Sequence, residues 1–331
     1  MKALAIILAA AAALAGCAEK SAPATSPTPA GATSAPAAAN PYPLQAGELK
    51  QAGSSTVFPI AFEWAADVVD RTGGALRVNV AGGGSGAGAT KLCNGEIDLA
   101  DMSSRMKDEQ KAACAPNGVV PMEWHVAYDG LSVVVSKKNA FVDQLTVEEL
   151  KRLWAQNSTV RTWADLRAGW PDKPVKLFGA GTASGTYEYF NEEILGKTCG
   201  ADGKRMCPPR QDYTPSEDDN VLVEGVRDDE HALAYFGFSY YLENTGTLRA
   251  VPIAKNATSP YVSPSFETIR DGSYKPLARP LFVYVDQNGF VRGSALHAYV
   301  AYMMYEGQAL VAKAGAVGLD DATLAAQRAR L

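Results

Sequence analysis

Three short segments of the chain combine the same residue types: Gly53-Ser54-Ser55-Thr56, Gly82-Gly83-Gly84-Ser85-Gly86 and Gly181-Thr182-Ala183-Ser184-Gly185-Thr186. Each runs straight into a stretch with helical character. A small-residue turn feeding a helix presents unpaired backbone N–H groups at the positive end of the helix dipole, and its hydroxyls add neutral donors. That is chemistry for holding a tetrahedral oxyanion without much positive charge. Three such turns would surround an anion if the fold brought them together.

Each turn also has a plainer reading. Ser55 or Thr56 could simply cap a helix, and the glycines of Gly82–Gly88 could form a flexible linker. The place of the second turn, directly after a strand and before Thr90-Lys91-Leu92, favours a backbone loop that approaches a ligand closely. Other chemistries fail on particular residues. A dinucleotide fingerprint lacks its acidic partner, and Gly83-Gly84-Ser85-Gly86-Ala87 ends in Ala where a hydrolase elbow needs Gly. Gly196-Lys197-Thr198 has Asn191 where a phosphate loop needs its first glycine. His125, His231 and His297 stand apart without metal-ligand spacing, no metal or other cofactor is implied, and no nucleophile is paired with a base.

The elements that must position these turns alternate. Leu76, Val78 and Val80 read as a strand, as do Leu131–Val135 and Val175–Phe178; Ile60, Trp64 and Val68, then Val147–Trp154 and Tyr187–Leu195, read as helices. This order predicts an α/β fold with helices on both faces of the sheet, where ligands sit at strand ends. A net charge of -5, from 31 Lys plus Arg against 36 Asp plus Glu, with no basic block, argues against nucleic acid as a partner.

The N-terminus is of another kind. Residues 1–16 form a basic start and an apolar stretch shorter than the roughly 20 residues needed to span a bilayer, which predicts a cleaved export signal. Leu14-Ala15-Gly16-Cys17 resembles the bacterial lipoprotein signature, implying lipid on Cys17. The Ala/Pro/Ser/Thr-rich tract over 17–48 predicts a disordered tether. With Cys17 set aside, Cys93, Cys114, Cys199 and Cys207 form an even set in an oxidising compartment. Of three connectivities, Cys93 with Cys114 and Cys199 with Cys207 close the shortest loops.

Gly53-Ser54-Ser55-Thr56-Val57-Phe58-Pro59, Gly84-Ser85-Gly86, Ile97-Asp98-Leu99-Ala100, Ser103-Ser104-Arg105 and Ala183-Ser184-Gly185-Thr186 occur in the order found in one family. The chain resembles the Pst-type phosphate-binding proteins of bacterial ABC transporters, nearest to the cyanobacterial lipoprotein branch. The resemblance implies a two-lobed periplasmic binding protein (Venus-flytrap) fold of type II with crossing hinge strands. It assigns 49–130 plus 248–331 to lobe I and 131–247 to lobe II. It also implies phosphate ligands at Ser55, Thr56, Val57, Ser85, Ser103, Ser184, Gly185 and Thr186. Two positions depart from the family pattern: Ala180 stands where an Arg precedes the Ser-Gly-Thr, and Ser103 where an Asp would accept the proton of hydrogen phosphate. Arg105 and Asp101 are the expected replacements.

The function expected is therefore capture of inorganic phosphate by a non-enzymatic, monomeric lipoprotein that delivers it to an ABC permease. Its place would be the periplasm or cell surface, on the outer rather than the inner membrane of a two-membrane envelope. Competing readings are a receptor for phosphite, arsenate or sulfate, and an envelope sensor or adhesion protein keeping the fold.

Overall fold

The structure is a computed structural model that describes residues 39–182, 184–199 and 207–331. The export signal, Cys17 and most of the expected tether lie outside the described residues.

Strands β1 (Gly47–Gly53), β2 (Leu76–Ala81) and β3 (Leu99–Met102) are parallel, with β1 in the middle. They are joined by helices α1 (Phe58–Thr72) and α2 (Ser85–Cys93). The apolar stripe Ile60, Trp64 and Val68 buries α1 against Leu49 and Leu76 on one sheet face. Ala89 and Leu92 bury α2 against Ala100 and Met102 on the other. Pro59 opens α1, where its missing N–H costs nothing, and Gly73 ends it in the left-handed conformation. A short helix, α3 (Asp108–Cys114), is tied to α2 by the Cys93–Cys114 disulfide.

Strand β4 (Pro121–Ser136) is 16 residues long and belongs to both halves of the molecule. Next come helix α4 (Val147–Trp154), strand β5 (Lys176–Ala180) and helix α5 (Gly185–Phe190), which continues as a wider turn over Asn191–Leu195. Strand β6 (Thr214–Ser216), helix α6 (Asp219–Arg227), strands β7 (Ala232–Gly237), β8 (Leu248–Ala250) and β9 (Ala278–Asp286), and helix α7 (Ala295–Met304) complete the elements used below. The sheet order is β2-β1-β3-β9-β4-β7-β5-β6, with β8 also on β4. The first part of β4 pairs with β9 and the last part with β7 and β8, so β4 carries the chain from one half-sheet to the other. The second disulfide, Cys199–Cys207, is present as the short-loop pairing expects.

Two expected boundaries are corrected. Ordered chain starts before residue 49: Gly47 and Glu48 are in β1, Tyr42 meets the His297 ring edge-on at 4.7 Å, and Asn40 Nδ2 donates to Glu306. The tract contains a large aromatic just where it reaches the body, and burying that ring anchors it. The chain also does not leave the second half at residue 248. Leu248–Ala250 pairs with Ser136–Val134, and Ile253–Ala254 with Leu145–Thr146, so the return lies near Leu277, whose carbonyl accepts from Leu131 N.

Candidate anion-binding site

The three turns meet. Gly84 N donates to Gly53 O at 2.8 Å, joining the second turn to the first. A Cβ on Gly88 would lie 2.7 Å from Ala52 O and Gly53 Cα, so only glycine lets α2 press on the end of β1. The third turn arrives from the other half-sheet: a Cβ on Gly185 would fall 2.6 Å from Thr56 N. Ser184 caps α5, its Oγ accepting from Thr186 N at 3.1 Å. Ser55 Oγ spans the halves by donating to Glu188 of α5 at 2.8 Å.

At this meeting point lies Arg279. It faces Asp129 across the β4–β9 ladder, and its Nε donates to Asp129 Oδ2 at 3.2 Å. Its Nη2 donates to Thr56 Oγ1 at 2.8 Å, and its guanidinium carbon lies over the Tyr189 ring, 3.5 Å from the ring centre. The side chain is only 15% exposed. These two bonds use a minority of its five N–H donors, leaving others for an acceptor that enters. Burial pushes the Asp129 carboxyl above its ordinary range, opposed by the Arg279 charge and the Gly130 N–H.

Two cavities open here, one at the contact between Thr56 and Gly185 and one at Arg279. One, of about 400 Å³, is lined by Ser55, Thr56 and the Ser184–Thr186 turn, and by Glu63, Asp129, Glu217, Asp219 and Lys313 on its other walls. The second, of about 250 Å³, is lined by Ser103, Ser104, Arg105, Lys197, Arg279 and the carboxylates Glu192 and Glu193.

Ser55, Thr56, Ser184, Gly185 and Thr186 thus open on the larger cavity, and Ser103 and Arg105 on the smaller. Ser85 joins the smaller group, since its Oγ accepts from Ser103 N and contacts Ser103 Oγ, both at 3.1 Å. Val57 is fully buried; its side chain packs in the core beside Ile60, and its carbonyl accepts from Ala61 N.

Asp101 is corrected as a cleft residue. Side chains alternate along β3, and Asp101 shares the face of Leu99 and Gln51, toward α7. It has no exposure; Gln51 Nε2 donates to Oδ1 at 2.7 Å, and Gln51 Oε1 accepts from Tyr299 of α7. Desolvation pushes its carboxyl up to about 7. Arg105 also differs from expectation. Its side chain is 69% exposed, it pairs with Glu123 at 3.1 Å and its guanidinium lies over the Phe282 ring.

Arg279 and Asp129 are the residues that reading the sequence missed. The available signal was an Asp inside an apolar run, Val126 to Val135, and an Arg opening another, Leu281 to Val285. Charges set inside buried strands need partners, and nothing local showed that these two were each other's.

The profile of the PBP superfamily domain matches residues 25–306. "Protein SphX" of Synechococcus elongatus is 37% identical over 298 residues, spanning 87% of this chain and 85% of that protein. "Phosphate-binding protein PstS" of Staphylococcus aureus is 31% identical over 287 residues, 85% of this chain and 81% of that one. Among solved structures, a "possible phosphate binding protein" from Planctomyces limnophilus superposes with a TM-score of 0.78 at 36% identity, covering 86% of this chain and 98% of its own. The fold is also that of an "ABC-type phosphate transport receptor" from Vibrio cholerae, TM-score 0.61 at 20% identity over 82% of this chain and 100% of that one. The curled α/β sheet, the crossing β4 strand and the likeness over most of the chain agree: the protein has the type II periplasmic binding protein fold and belongs to the PBP superfamily, as a relative of Protein SphX and of the phosphate-binding proteins PstS.

Proposed function

We propose that this protein is a non-enzymatic receptor that captures inorganic phosphate between its two half-sheets and delivers it to a Pst-type ABC permease. The observation that carries the reading is the convergence of three donor-rich turns on the largely shielded, incompletely used guanidinium of Arg279. Thr56, Ser184, Gly185 and Thr186 supply hydroxyl and amide donors from one flank, Ser85 and Ser103 from the other, with the Val57 backbone behind them. Ser55 holds the closing element through Glu188. Arg279 takes the place of the cation missing at Ala180, and Arg105 acts from the rim. Relatives named phosphate-binding proteins support the choice of anion.

Among oxyanions, Asp129 favours phosphate. Its carboxylate lines the larger cavity beside the turns, where hydrogen phosphate can donate a proton to it and fully ionised sulfate is only repelled. Calorimetric titration of the purified protein with phosphate, arsenate, phosphite and sulfate tests the reading. Binding of phosphate with sulfate at least about a hundredfold weaker is expected, and absence of phosphate binding would reject a receptor role in favour of a sensor or adhesion role.

The N-terminal features complete the proposal: export through residues 1–16, lipid on Cys17, and a monomer carried on its tether at the membrane surface, on the outer membrane if two are present. Mass spectrometry of the membrane fraction should find an acylated N-terminal Cys17; a soluble, unacylated chain with intact residues 1–16 would contradict it. Among the described residues no helix is long and apolar enough to cross a membrane.

A further inference from the structure

Two neighbouring residues of α5 are tied to two neighbouring residues of the first turn, across the line where the half-sheets meet. Glu188 Oε2 accepts from Ser55 Oγ at 2.8 Å, and the Tyr189 ring lies beneath the Arg279 guanidinium that donates to Thr56 Oγ1. Both ties are beside the Thr56–Gly185 contact, where a Cβ would not fit. They differ in what they leave for a ligand. Arg279 keeps unused N–H donors, whereas a serine hydroxyl has a single proton, and that of Ser55 is committed to Glu188. An oxyanion needs donors, so in this arrangement Ser55 has none to offer it.

Glu188 also stands in the first turn of α5, directly after the donors Ser184–Thr186. On charge alone a carboxylate there repels the anion that those donors attract. Resting on the phosphate-receptor reading above, we propose that Ser55 and Glu188 form a latch: their hydrogen bond does not touch the phosphate but holds the two half-sheets closed over it, so that it stabilises the occupied form. Glu188 is then a positioning residue, and the sign of its contribution separates the two roles. A latch strengthens phosphate binding; a mere charge weakens it. Glu188 is exposed and Ser55 half-buried, so truncating either leaves the cores intact.

Calorimetric titration of the full protein with inorganic phosphate tests this. Glu188→Ala removes both acceptor and charge; the latch predicts binding about threefold to tenfold weaker, where relief of repulsion predicts tighter binding. Glu188→Gln keeps an acceptor for the Ser55 hydroxyl without the charge and should stay within about twofold of wild type. Ser55→Ala should weaken binding about as much as Glu188→Ala, and the double variant no further, because each change removes the same bond. Tighter or unchanged binding by Glu188→Ala, a Gln variant as weak as the Ala variant, or losses that add in the double variant would overturn the latch, the last by returning Ser55 to the anion. A wild-type protein that binds no phosphate would instead remove the receptor reading, and the latch with it.

Discussion

The cavity at the Thr56–Gly185 contact and the one at Arg279 have no lining residue in common. The larger is walled by hydroxyls, four carboxylates and the Lys313 ammonium, the smaller by Arg105, Lys197 and Arg279, two carboxylates and hydroxyls. The difference teaches that donor geometry and charge are supplied separately here. Neutral donors come from turns at strand ends, which the fold brings together; charge comes from strand residues whose partners are set by sheet register. Arg105 and Arg279 show the consequence. Both line the smaller cavity, yet Arg105 is screened by solvent and paired at the surface, whereas Arg279 is largely shielded from solvent, lies over Tyr189 and is bonded to Thr56. An ion pair in water contributes little, whereas removing one partner of a desolvated pair costs a good deal because the other is left buried without it.

The largest effect should come from Arg279, in the wall of the smaller cavity. Arg279→Ala removes the largely buried cation and its charge-assisted donors, so phosphate affinity should fall by about 3 to 5 kcal/mol in calorimetry. A loss below about tenfold would move the anion away from Arg279.

The two buried carboxylates sharpen the same contrast. Asp129 has a cation and a cavity; Asp101 has neither. With its folded value near 7 against about 3.9 for an unfolded aspartate, Asp101 binds its proton more tightly in the folded state, so stability should fall as pH rises from about 4 to about 7. Asp101→Asn should flatten that slope and stabilise the protein by on the order of 2 to 3 kcal/mol at pH 8, read from denaturant midpoints, with phosphate affinity unchanged. A loss of affinity in this variant would return Asp101 to the site.

Smaller effects follow for single donors. Ser184→Ala deletes one neutral hydroxyl among several and should cost about 1 kcal/mol of binding. Arg105→Ala should cost less than that at physiological salt, because most of its field is screened, and the cost should grow as salt is lowered. If the order of these two were reversed at high salt, Arg105 would be a direct ligand and the distinction between the arginines would fail.

Much of this was legible in the chain. The helix over Val147–Trp154, the strand at Leu76–Ala81 and the turns at Ser85 and Ser184 follow from periodicity and from small residues at strand ends, which act locally. Both disulfides followed from closing short loops. What was not legible depends on register across the sheet. Asp129 and Arg279 are 150 residues apart and meet only because β4 and β9 pair as they do. Counting along the sequence could place Asp101 near the site, but strand alternation turns it to the core. The pairing of Leu248–Ala250 with β4 is likewise a fact of the second half-sheet that no local pattern announces.

The most direct test of the central claim is a crystal structure of the phosphate complex. The account predicts a phosphate oxygen about 2.7 to 2.9 Å from an Arg279 nitrogen, with further oxygens accepting from the Thr56 and Ser184–Thr186 turns. A phosphate held by Arg105 and Lys197 alone, with Arg279 still bonded only to Asp129 and Thr56, would contradict it.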